Sequence, residues 1–198
     1  MENLHNFTMF VKDEMFNVFK SCIDEGNAPY FEVYHITDFL STEDAHMTPG
    51  MFLCRHVQSN CKSFVNTPDG ITSFTDLDKP YLTWNSAIKD HVAEILRENT
   101  DISFPRWKAL LNRAYPKKEV DRFELYHVAF DLQMNKYDVA QYFLLNRAVL
   151  PCVRNPFDTM CSAYLTYYNI ATNNQKEKIK WVDVVEDIDE FISKIQIK

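Results

Sequence analysis

Apolar residues recur at intervals of three and four from the start of the chain. Leu4, Phe7, Phe10, Val11, Met15, Val18, Phe19, Cys22 and Ile23 mark one face of a helix that Gly26 and Pro29 close. Met9 and Phe16 widen that face beyond a simple seam, so the helix is expected to be central or laid against a partner, and both are candidate binding residues. Tyr30 to Ile36, aromatic and β-branched, suits a short extended segment. Thr48 and Pro49 then offer an N-cap and a first-turn proline to a helix carrying Phe52, Leu53, Val57, Cys61, Phe64 and Val65. Thr67-Pro68-Asp69-Gly70 predicts a turn, with a second short strand over Ile71 to Thr75.

The helical period resumes at Lys79 and runs to Asn99 through Tyr81, Trp84, Ile88, Val92, Ile95 and Leu96, with Asp78 and Pro80 at its start. Ser103 and Pro105 open a helix that carries Phe104, Trp107, Leu111 and Ala114 inward and ends at Pro116. Lys117 to Met134 follows, with Val120, Phe123, His127, Phe130 and Met134 on one face, until Asn135-Lys136 breaks it. Asp138 leads the next helix through Val139, Tyr142, Phe143 and Val149. Asn155 and Pro156 cap another, through Phe157, Met160, Cys161, Tyr164, Tyr168 and Ala171. Asp183 and Glu186 form a capping-box pair before Val184, Ile188, Phe191, Ile192 and Ile195. These elements predict an all-α fold, a compact bundle of about eight helices with at most one short β-hairpin. One domain over residues 1–198 is expected; 99–103 is the place where a weak subdivision would fall.

Composition narrows the function classes. No apolar run approaches the roughly 20 residues of a membrane span, and the first residues lack a signal peptide's basic and apolar regions, so a soluble cytoplasmic protein is expected. Five cysteines, mostly at apolar-face positions, read as reduced core thiols. A net charge of −7 opposes dedicated nucleic-acid binding. Three glycines leave little material for phosphate-cradling loops. Few glycines beside abundant Asn, Lys, Ile, Phe and Tyr fit an AT-rich genome such as many viruses carry.

Chemical motifs are sparse. His46, Cys54, His56 and Cys61 offer zinc-type ligands, but Cys54 and Cys61 lie two helical turns apart, about 10 Å, too far to share one tetrahedral ion. Cys152 with His127 or His91 is the thiol–imidazole combination open to nucleophilic catalysis; His127 reads more simply as a hydrogen-bonded core histidine. The acids from Asp183 to Glu190 read as the solvated face of the last helix. No nucleotide-binding, nucleophile-elbow or zinc-protease motif occurs, and neither a metal nor a cofactor is expected.

The most suggestive feature is basic. Arg106, Lys108, Arg113, Lys117, Lys118 and Arg122 fall in one stretch with Trp107 and Tyr115, an arrangement that can hold an acidic protein or, less favourably, RNA. Trp107 shares its face with Leu111 and should point inward, while Glu119 and Asp121 dilute the charge. A helix–turn–helix reading of Val128 to Leu145 fails, because the second helix opens on Asp138 and is otherwise core-like. Tyr164, Tyr167 and Tyr168 are more tyrosines than one helix turns inward easily, and with Trp181 they flank the basic spacer Lys176 to Lys180, which makes Tyr167 and Trp181 further binding candidates. The expectation is a non-enzymatic factor that binds another protein, of viral origin and acting on host proteins. Its alternatives are a small cysteine- or carboxylate-dependent hydrolase or transferase, and an RNA-binding protein using 106–122.

Overall fold

The computed structural model describes residues 47–60 and 79–151, positions 155, 157, 158, 160, 161, 164 and 165, and residues 181–196. Among them are six α-helices and no strand: α1 Pro49–Asn60, α2 Ser86–Asn99, α3 Phe104–Leu111, α4 Arg122–Asp131, α5 Lys136–Leu145 and α6 Trp181–Gln196. The helix expected over 3–26, with Met9 and Phe16, and both short strands lie outside the described residues, as do His46, Cys61, Cys152, Tyr167 and Tyr168.

Thr48 caps α1 as its sequence predicts, its hydroxyl accepting from the Met51 amide at 3.2 Å. The first turn of α1 presses on the end of α3. Gly50 donates its amide to Arg113 O at 3.0 Å, and a Cβ at Gly50 would stand 2.7 Å from Leu111 O, so only glycine permits this approach. Farther along α1, Phe52 stacks on Tyr142 of α5 at 5.7 Å between ring centres.

Several helix bounds differ from those the sequence predicts. A single 3₁₀ turn, Tyr81–Thr83, precedes α2, which starts only after Asn85, whose side chain accepts from Ile88 N at 3.0 Å. Trp84 is buried between the two and donates its indole N–H to Lys79 O, which holds the segment out of the helix. α3 stops at Leu111, so Ala114 is exposed rather than inside. α5 begins at Lys136 because Asn135, not Asp138, receives the first-turn amides of Tyr137 and Asp138. It ends at Leu145, where Arg147 turns left-handed (φ 58°), leaving Val149 outside any helix and exposed. Asp183 lies in the first turn of α6 instead of capping it, since the helix already includes Trp181, which is buried against α4. Asn155, by contrast, accepts from Phe157 N at 3.0 Å as expected of its cap position.

α4 is apolar around most of its circumference and joins two halves of the core. Leu125, Tyr126, Val128 and Ala129 are fully buried. Residues on the stripe read from the sequence face α6: Phe123, His127 and Phe130 meet the Trp181 ring at 4.9, 5.7 and 5.3 Å. The inward residues of α1 to α6, with Met160, Cys161, Tyr164 and Leu165, form one continuous core.

Candidate functional site

The basic stretch divides into cations paired with carboxylates of the same chain, Arg106 and Lys108 at the surface and Arg113 and Arg122 deeper, and cations without such a pair among the described residues. Arg106, on α3, pairs with Glu124 of α4. Arg113, just past α3, pairs with the same carboxylate and donates to Asn146 Oδ1 at 3.2 Å. Arg122, first residue of α4, pairs with the fully buried Asp158 and donates to Val149 O at 2.9 Å. Lys108 reaches back to Asp90 on α2 at 2.7 Å. Each of these links joins different parts of the chain, so four of the six candidate cations act as ties between helices.

Lys117 and Lys118 behave differently. Both are exposed on the connection 112–121, and among the described residues neither has a carboxylate partner. Asn146, buried at the C-terminal end of α5, fixes this connection from both sides. Its side-chain carbonyl receives Arg113, its backbone carbonyl receives Val120 N at 3.3 Å, and its own Nδ2 donates to Tyr142 O at 2.8 Å. Asp121 then closes the connection by accepting from Phe123 N. Between these fixed ends Ala114, Tyr115, Lys117, Lys118 and Glu119 face solvent. Tyr115, 45% exposed, stands among them, and Phe123 and Val149 add exposed apolar surface on either side of Arg122.

Trp181 is 3% exposed, so it is a core ring and not a surface contact. Trp107 is also buried, as its spacing indicates, and donates to Thr100 Oγ1 at 2.8 Å. Tyr164 is buried too; desolvation, reinforced by its hydrogen bond to Asp187, holds its hydroxyl protonated well above the usual phenol range.

No protein-family model, curated protein or solved structure matches this chain.

The two described thiols are poor nucleophiles. Burial pushes Cys54 up to about 11 and Cys161 well above the ordinary thiol range. His56 has become a structural tie, its Nε2 3.0 Å from Leu132 O and its Nδ1 3.5 Å from Asp138. Among the described residues no three metal-type side chains gather. A shallow cleft of about 280 Å³ lies between α3 and α4, floored by Ile102, Leu110 and Val128 and edged by Asp101, Arg106, Glu124 and His127. Its arginine and glutamate are already bound to one another. Its histidine has lost basicity mainly through desolvation, partly offset by Asp101 and Glu124, and sits 3.5 Å from Asp131.

Sequence reasoning missed one residue of this surface. Arg147 is exposed and follows Asn146 directly, next to the Val120 end of the connection. A helix drawn through to Val149 puts Arg147 in its body and hides this position.

Proposed function

We propose that the protein is a non-enzymatic, protein-binding helical domain whose docking face is the connection 112–121. The observation that carries this reading is the presentation of Tyr115, Lys117 and Lys118 on a segment tied at both ends to the buried Asn146. A segment so fixed loses little further freedom on binding, and an exposed tyrosine supplies contact area with a polar tip. Pairing of Arg106, Lys108, Arg113 and Arg122 with carboxylates of the same chain favours a protein partner over RNA, because those acids offset the charge the cations would bring to phosphates. In the same proposal the chain is one domain of about eight helices that works in the cytoplasm, encoded by a virus and acting on host proteins, a source that its composition fits. The Tyr167, Met9 and Phe16 candidates stay with this reading as secondary contacts.

Photo-crosslinking tests it. A photoreactive residue at position 115 is expected to capture a discrete protein in the native cell, and the capture to disappear when Lys117 and Lys118 are changed to glutamate. The same probe at Leu82, which is 66% exposed outside the connection, should capture nothing discrete. Equal capture from both positions would remove the assignment.

A further inference from the structure

Building on that reading, we infer that Arg147 joins Lys117 and Lys118 in one cationic patch, and that the patch receives an acidic segment of a partner protein. Position comes first. The Val120 amide is 3.3 Å from the Asn146 carbonyl oxygen, and Arg147 is the next residue, so the backbones of 120 and 147 lie about 6 Å apart. Lys118 is two residues from Val120, at most about 7 Å along the chain. Side chains as long as lysine and arginine bridge those spans easily, which brings three cations from two distant parts of the sequence within reach of one bound segment.

Their availability comes second. Arg147 is exposed, and like Lys117 and Lys118 it has no carboxylate partner among the described residues. The arginines below this surface are engaged with Glu124 and Asp158. Glu119 and Asp121 border the patch, and Asp121 is turned to the Phe123 amide. Against a chain of net charge −7, this is a local reversal of sign, which selects an acidic ligand and steers its approach. Exposed Tyr115 and Val149 flank the cations, so the segment expected is acidic with interleaved aromatic or aliphatic residues.

Backbone conformation supplies the third argument. Arg147 holds φ at 58°, a conformation that glycine adopts without cost and an L side chain does not. The same left-handed turn closes α4 at Gln133 (φ 52°), so it is how helices end in this chain; at Arg147 it ends α5 beside Val120 and leaves the arginine exposed at the patch.

The test is fluorescence anisotropy of the full chain with a labelled peptide that alternates glutamate and phenylalanine, at about 50 mM salt so that screening is weak. Wild type is expected to bind it. Arg147→Glu and the pair Lys117→Glu/Lys118→Glu should each weaken binding about tenfold. Arg147→Gly should weaken it several-fold while unfolding at a higher denaturant concentration than wild type, which separates loss of contact from loss of fold. Unchanged binding by Arg147→Glu would remove Arg147 from the patch and overturn the inference. Tighter binding of an oligouridylate than of the peptide would overturn it in favour of nucleic acid. No binding of the peptide by wild type would also overturn it, yet would leave the docking role of the connection standing if position 115 still crosslinks to a protein.

Discussion

Arg122 and Lys118 lie four residues apart in the same basic stretch and meet opposite fates. Arg122 is largely covered and bound to Asp158, a carboxylate wholly removed from water; Lys118 stands in solvent on a tip between two fixed ends. Local composition does not distinguish them. The difference lies in what the fold brings from far along the chain: a buried acid in one case and, among the described residues, none in the other. A run of cations is therefore not a surface until the tertiary partners of each are known.

Substitutions that cut the ties should cost far more than substitutions at the tip. Arg122→Ala takes the cation from buried Asp158 and is expected to destabilise the fold by about 3 kcal/mol in chemical denaturation. Gly50→Ala drives a methyl into Leu111 O and Arg113, beneath one end of the connection, and should cost about 2 kcal/mol by the same measurement. Arg147→Gly relieves a left-handed arginine and should stabilise by up to about 1 kcal/mol, a rise of a few degrees in Tm. Lys117→Ala with Lys118→Ala should shift stability by less than about 0.5 kcal/mol. If the tip pair proved as costly as Arg122→Ala, the division between tie and tip would collapse.

His127 gives a pH dependence of known sign. Because its folded-state pKa lies below 6.5, the unfolded chain binds the extra proton in the interval between the two values. Its contribution is thus complete above about pH 6.5, declines as pH falls through that interval, and levels off below the folded value. Comparing acid unfolding of wild type and His127→Gln isolates it, and the wild-type curve should be the steeper one in that range.

Much of the helical architecture is legible from periodicity alone. The Thr48 and Asn155 caps and the burial of Trp107 all follow from local rules. Other features depend on partners that periodicity does not contain. The stripe of Phe123, His127 and Phe130 is real, but it faces Trp181, and the residues between, Leu125, Tyr126 and Ala129, are buried as deeply because α4 is enclosed on more than one side. A helix apolar around most of its circumference has no single preferred stripe, so its facing cannot be read from spacing. Helix ends at Leu111 and Leu145 were hidden for a different reason. Neither is followed by glycine, and the left-handed turn after Leu145 falls on Arg147, a residue that gives no stop signal. Of the candidate site, Tyr115, Lys117 and Lys118 are visible in the sequence, whereas Arg147 and the role of Asn146 emerge only when α5 is set beneath the connection.

Retention on an immobilised polyanion tests most directly whether the arginines of 106–122 are neutralised by pairing within the chain. Wild type should elute at or below about 0.1 M salt, and that position should move only when Lys117, Lys118 or Arg147 is changed. Retention well above that concentration, weakened equally by folded variants at Arg106 and Arg113, would show that their pairing with Glu124 leaves them available to phosphate and contradict the account.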